Sequence, residues 1–329
     1  MIRRRDVITL AASAATWPLV RPLAAEAQRR VGALSVNASP QSQSILDAFR
    51  EGLATFGWVE GRNLRIDYRR FSGDPGPLAA DVEELVNLRP DVIFALAGPA
   101  ARAVQQRTSV IPIVFVGGGD PTSDGMVRNA ARPESNMTGF ANVFGSLGGK
   151  WLELFKEAVP RLTRVADIFL ANEVTNRNEL RATIPAAAAQ LGVTIVRIPV
   201  RNAVEIEPAI SAFAAEPDGG LLLTGAPFAV ALFEAIGRRA LYYHLPLMYG
   251  GASGTGRTEG FLMAHGADLP DLARRASSYV DRILRGAKPS ELPIQYPTKF
   301  ELLVNLKTTK AIGVTIPEAF LAQADQVIE

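Results

Sequence analysis

From residue 31 onward, short continuous apolar runs alternate with longer stretches in which apolar positions recur every three or four residues. Residues 31–36, 91–96 and 111–116 read as strands buried on both faces, the pattern of a parallel sheet covered by helices. Residues 64–68 alternate in character and read as a further strand. Between them, Ile45, Leu46, Phe49, Leu53 and Phe56 lie at helical spacing, as do Ala79, Val82, Leu85 and Val86, and a third helix starts near Ala100. Strand and helix in turn predict βαβ units with right-handed crossovers, hence a doubly wound α/β lobe.

The periodicity fades between Asp124 and Asn142 and then restarts. Strands are expected at 165–170, 194–199, 220–223 and 247–249, with helices at 148–159, 178–191, 204–215 and 228–243. This is a second lobe of the same architecture. A glycine-rich segment, 250–260, leads to a short strand at 261–264 and a helix at 269–284. The tail, 292–329, has apolar runs near 300–306 and 316–321 but is too small to fold alone, so it docks back on the lobes. The expected division is residues 28–140 plus about 261–290 for lobe one, and 141–260 plus about 291–329 for lobe two. A chain of 329 residues suits two such cores.

Charge changes this picture little once it is located. The chain holds 35 basic and 33 acidic residues, with a pI near 9.0. Residues 1–27 contain four arginines and two acids, and without them 31 basic face 31 acidic residues. Nucleic-acid binding loses its electrostatic basis. The same 27 residues have a positive start, an apolar middle interrupted by Pro18, and a small-x-small site at Ala25-Glu26-Ala27, which reads as an export signal cleaved after Ala27. Arg4-Arg5-Asp6-Val7-Ile8 fits the twin-arginine export pattern, with general secretion as the alternative. The expected location is periplasmic. There is no cysteine, which excludes disulfides, thiolate catalysis and Cys-ligated zinc.

No catalytic or cofactor motif survives inspection, and no cofactor or metal is expected. His244 and His265 are the only histidines and neither has a partner at ligand spacing. Gly251-Ala252-Ser253-Gly254-Thr255 misses the nucleophile elbow at its last position, and Glu259 stands where a dinucleotide glycine belongs. Gly149-Lys150 is followed by Trp151, so it is not a P-loop.

What remains is a set of polar loops at strand carboxyl ends, where ligands bind in open α/β sheets. The candidate ligand-binding residues are Asn37, Ser39, Gly98, Pro99, Asp120 and Asn142 in lobe one, and Asn172, Thr224 and Tyr249 in lobe two. Helix N-termini after such loops offer N–H groups to a carboxylate, and Asp120 would meet an amino group. Plainer readings stay open: Asn37, Ser39 and Asn172 as caps, Asp120 as a turn former, Tyr249 as a core aromatic. Trp58 and Trp151 read as lobe packing.

Several stretches carry a family resemblance. They are residues 49–69, FREGLATFGWVEGRNLRIDYR; 90–98, PDVIFALAG; 111–121, IPIVFVGGGDP; 131–140, ARPESNMTGF; 279–313, YVDRILRGAKPSELPIQYPTKFELLVNLKTTKAIG; and the ending ADQVIE. Together they resemble the ABC-transporter substrate-binding proteins of the tryptophan/phenylalanine-binding type, with the type I periplasmic-binding-protein fold. The resemblance implies two lobes joined by crossover segments, hinge closure over one small solute, and delivery to a membrane permease with its ATPase by a monomer that meets the membrane only through that permease. It supports Asn37, Gly98, Asp120 and Asn172 as cleft walls. Thr224-Gly225-Ala226-Pro227-Phe228 lacks the acid that the family often has in this loop, and Gly250 to Thr258 replaces a bulkier, more charged one, so the solute is left open. The expected function is an exported solute-binding protein of an ABC importer, taking an amino acid or carboxylate-like solute, polar or aromatic. An exported enzyme on the same fold and a ligand-sensing module are the alternatives, and a DNA-binding regulator is disfavoured.

Overall fold

The computed structural model describes residues 28–36, 40–71, 75–143, 145–171, 178–224, 230–252 and 259–329. The expected signal segment, Asn37, Ser39, Asn172 and residues 225–229 and 253–258 lie outside them.

Lobe one runs through β1 (Arg29–Val36), α1 (Pro40–Thr55), β2 (Leu64–Phe71), α2 (Pro75–Asn87), β3 (Val92–Leu96), α3 (Gly98–Arg107), β4 (Ile113–Val116) and β5 (Met137–Phe140). Its five strands are parallel, in the order β2-β1-β3-β4-β5. Strands β3, β4 and β5 are buried at every position, as continuous apolar runs require when helices cover both faces. Residues of α2 and α3 pack on one face. Phe49 and Leu53 of α1 pack on the other, Phe49 stacked on Phe94 with ring centroids 3.9 Å apart.

Lobe two follows with α4 (Leu147–Ala158), β6 (Arg164–Leu170), α5 (Asn178–Leu191), β7 (Thr194–Val200), α6 (Ile206–Ala214), β8 (Gly219–Thr224), α7 (Val230–Tyr242), β9 (Leu247–Ala252) and β10 (Met263–Ala267). The chain then makes α8 (Leu269–Leu284), β11 (Phe300–Asn305), α9 (Leu306–Ile312), α10 (Glu318–Leu321) and β12 (Gln326–Ile328). The second sheet is ordered β12-β11-β10-β9-β8-β6-β7. Read from β6 to β10, it repeats the order of lobe one, so the expected pair of doubly wound α/β lobes is present.

Three features differ from the sequence reading. Residues 137–140 form a strand where no periodicity was visible, because four residues including Thr138 and Gly139 are too few to show one. Strand β10 pairs with β9 and belongs to the second sheet, so the chain passes to lobe one at α8 and not near residue 261. Helix α8 lies on α1, with Ser277 Oγ donating to the Phe49 carbonyl at 2.8 Å and Trp58 Nε1 to Asp281 at 2.8 Å. The second sheet is also mixed: β11 runs antiparallel to β10. The reason is topological, since the chain leaves lobe two at the carboxyl end of β10 and returns at that same edge.

Each crossing thus starts or ends at a carboxyl edge. Strand β5 hands over to α4, β10 to α8, and residues 292–299 lead back into β11. The carboxyl edges of the two sheets therefore meet at the junction of the lobes, which is where such sheets hold ligands.

Candidate functional site

On the lobe-one side, the loops after β3, β4 and β5 are neighbours because their strands are adjacent. The Ala97 N–H donates to the Val116 carbonyl at 2.8 Å, and the Gly117 N–H to Phe140 at 2.8 Å. Ala97, the residue before α3, is held at φ 82° and ψ 148°, a backbone conformation that costs an L-residue about 1–3 kcal/mol and persists only where surroundings enforce it. As an alanine at the N-cap, it makes no side-chain cap bond to α3. Its first-turn N–H groups have no acceptor within the helix, and Pro99 brings none. Gly118, at φ 102°, lies directly on Gly98: a Cβ on Gly118 would stand 2.9 Å from the Gly98 Cα.

Asn142 closes this wall. Its N–H donates to the Gly118 carbonyl at 3.4 Å, and its side-chain Oδ1 lies 3.9 Å from where a Gly117 Cβ would be. The residue is 9% exposed, and Oδ1 has no hydrogen-bond partner among the described residues. Asp120 is placed differently. Its Oδ1 accepts from the Thr122 N–H at 2.8 Å, forming an Asx turn, and Oδ2 accepts from Tyr296 Oη at 3.2 Å. Gly98, Pro99 and Asn142 are thus brought together, with Asp120 bound to a crossing segment beside them.

On the lobe-two side, Gly250 and Gly251, just before the end of β9 at Ala252, have an aromatic ring on each face. A Cβ on Gly250 would fall within the Trp151 indole, and one on Gly251 within the ring of Tyr249. The Tyr249 ring therefore reaches along its strand toward the carboxyl edge, packed edge-on against Phe233 at 5.3 Å. Trp151 is fully buried and its Nε1 has no hydrogen-bond partner among the described residues. Thr224, also fully buried, donates its hydroxyl to Asp167 Oδ1, itself buried on β6. The structure leaves Thr224 inside the lobe, at the point where the strand order reverses between β6 and β8.

Comparison with known proteins gives this arrangement a family. The family model described as ABC transporter substrate binding protein matches residues 31–328. The chain belongs to this family. A tyrosine-binding protein of Clostridioides difficile is 23% identical over 288 residues, covering 87% of this chain and 81% of the relative. A conserved domain protein of Vibrio cholerae has a similar structure, with a TM-score of 0.83, 26% identity, and 91% of this chain and 99% of that one covered. An ABC domain from Streptococcus pneumoniae in complex with L-Trp also has a TM-score of 0.83, at 22% identity, with 92% and 100% covered. Among the described residues, no helix of this substrate-binding protein is long and apolar enough to cross a membrane.

Sequence reasoning missed several residues at the junction. Ala97 gives no compositional sign of its strained backbone, and Tyr296 bonds to a residue 176 positions away. Asp268 was legible, since Asp268-Leu269-Pro270-Asp271 is a helix-start pattern, and its Oδ1 accepts from the Asp271 N–H at 3.0 Å.

His265 on β10 is a packing residue with a measurable signature. It stacks on Phe300 at 5.7 Å. Burial, helped by the charge of Lys150 and opposed by Asp325, pulls its pKa from 6.5 down to about 4. Between those values the unfolded chain binds a proton that the folded protein does not. Stability from this residue is therefore complete above pH 6.5 and lost as the pH falls toward 4, by at most about 3 kcal/mol. Urea midpoints measured across that window are expected to fall with pH, and His265→Phe to remove most of this slope; an unchanged slope would assign the effect to other groups.

Proposed function

We propose that this substrate-binding protein is exported, with residues 1–27 removed, and captures an amino acid between its lobes for delivery to a membrane permease, making and breaking no covalent bond. The observation that carries the reading is the pairing of Asn142 with the start of α3. Among the described residues, a buried carbonyl oxygen without a donor stands beside a helix N-terminus whose N-cap makes no side-chain bond. An acceptor and a set of N–H donors side by side suit a ligand carrying both an ammonium and a carboxylate. The names of the relatives, one binding tyrosine and one solved with L-Trp, make aromatic amino acids the first solutes to try. Trp151 of α4 and Tyr249 of β9, which lie against Gly250 and Gly251, are the lobe-two groups closest in character to such a ligand. The twin-arginine pair Arg4-Arg5 supports export of the folded protein.

The test uses protein recovered from the periplasmic fraction, whose first residue is expected to be Gln28. L-tryptophan and L-tyrosine, each compared with its analogue lacking the amino group, are followed by thermal shift. A ligand at 100 times its Kd stabilises by about 2.7 kcal/mol. An amino acid is expected to raise Tm where its des-amino analogue does not. Equal shifts from the pair would remove Asn142 from ammonium recognition, and no shift from any amino acid at millimolar concentration would sink the reading.

A further inference from the structure

Two of the three segments that cross between the lobes run side by side. Ala267, the last residue of β10, pairs with Phe300, the first of β11. One position further out the ladder has ended, and the antiparallel neighbours are Asp268 and Lys299. Their side chains bridge the gap, with Lys299 Nζ 2.7 Å from Asp268 Oδ2 and 3.4 Å from Glu301 Oε1.

Both residues stand at pivots. Asp268 is the single residue between β10 in lobe two and α8 on lobe one. The returning segment is fastened to lobe one up to residue 296: the Ile294 N–H donates to Ala130 at 2.7 Å, Gln295 exchanges bonds with Gly139 and Ala141 at 2.9 and 3.0 Å, and Tyr296 holds Asp120. At Phe300 it is already in the second sheet, which leaves only Pro297, Thr298 and Lys299 to absorb a rotation. Burial pushes the Asp268 carboxyl up, but the bonds from Lys299 and from the Asp271 N–H outweigh it and hold its pKa below the ordinary value; Lys299 is raised in turn.

We infer that Asp268 and Lys299 form a clasp across two crossing segments and act as positioning residues that set the resting angle between the lobes. This rests on the reading of the protein as one whose lobes move. A half-exposed ion pair adds little to the stability of a fold. Two lobe arrangements close in energy are a different matter, because a small bias redistributes them.

The chain has no cysteine, so a pair of spin labels can be placed uniquely at Ser44→Cys on α1 and Val204→Cys before α6. Both positions are exposed, one in each lobe near the carboxyl edge of its sheet, since α1 follows β1 and residue 204 follows β7, so their separation reports the angle between the lobes. Electron–electron distance distributions are measured without ligand for the parent, Asp268→Asn, Lys299→Gln and the double variant. Asparagine keeps the cap on α8, so Tm is expected to change by about 2 °C or less. All three variants are expected to share one altered distribution. Raising salt from about 20 mM to about 500 mM should move the parent toward that distribution and leave the variants in place, since salt screens an exposed pair. Distributions that superimpose at low salt would overturn the clasp, as would shifts that add in the double variant, because the two residues would then act separately. L-tryptophan and L-tyrosine added to the labelled parent test the underlying reading: a parent that neither moves defeats that reading, while the ligand-free comparison still decides the clasp.

Discussion

Replacing Gly118 by alanine is expected to destabilise the protein by about 3 kcal/mol and to deform the lobe-one wall of the junction at the same time. Two costs combine. The backbone at φ 102° is strained for any L-residue, at about 1–3 kcal/mol. The new methyl would also stand 2.9 Å from the Cα and 3.0 Å from the N of Gly98, atoms that no rotamer change can move aside. Overpacking of this kind costs about 1–3 kcal/mol. The relief available is to push the turn after β4 away from the start of α3, which separates Asn142, bonded to the Gly118 carbonyl, from the N–H groups of that helix. Thermal unfolding should show Tm lowered by roughly 6–12 °C. The Tm rise produced by an amino acid ligand should shrink as well. A variant that melts with the parent would mean that the turn flexes at no cost.

Asn142→Leu is expected to behave in the opposite way, losing ligand binding while keeping or gaining stability. Leucine is close to asparagine in size and shape. Among the described residues the Asn142 Oδ1 is buried without a donor, and removing such an oxygen spares the fold a desolvation cost. The bound ligand would lose an acceptor for its ammonium group. Hydrogen bonds to charged groups contribute about 1.5–3 kcal/mol, which is roughly a 10- to 100-fold rise in Kd. Calorimetric titration beside a melting curve separates the effects. Weaker binding with an unchanged Tm supports a ligand contact. A fall in both would make Asn142 a structural residue, and unchanged affinity would take it out of the site.

These expectations rest on residues of unequal visibility in the sequence. Gly98 and Pro99 could be proposed because they follow a strand that the apolar runs revealed, and the edge of a parallel sheet is a place that topology defines; Asn142 follows β5, a strand too short to show a pattern. The same logic selected Thr224, yet it is fully buried with its hydroxyl on Asp167. Thr224 ends its strand one residue before the loop, and strand-end position alone does not say which face a side chain takes. Asp120 shows a further limit. Its turn with Thr122 is local and follows from Asp-Pro-Thr, whereas the bond to Tyr296 joins positions 176 apart. Trp151 was legible as packing, but not that it fills the space left by Gly250 a hundred residues later.

By itself, the sequence determined the elements and the architecture that follows from them. Apolar runs bounded by glycine and proline are buried strands because unpaired backbone is costly away from water, and right-handed crossovers leave few ways to assemble them. Helix α8 could be placed at 269–284 for the same kind of reason, a cap at Asp268 followed by an apolar stripe through Leu272, Ala276, Tyr279 and Ile283. Tertiary structure alone decided that α8 lies on lobe one while β10 stays in lobe two, that β11 is antiparallel, and that Asp268 meets Lys299. Those outcomes depend on contacts between segments far apart in the chain, and local periodicity holds no record of a partner that arrives only when the lobes close on their crossings.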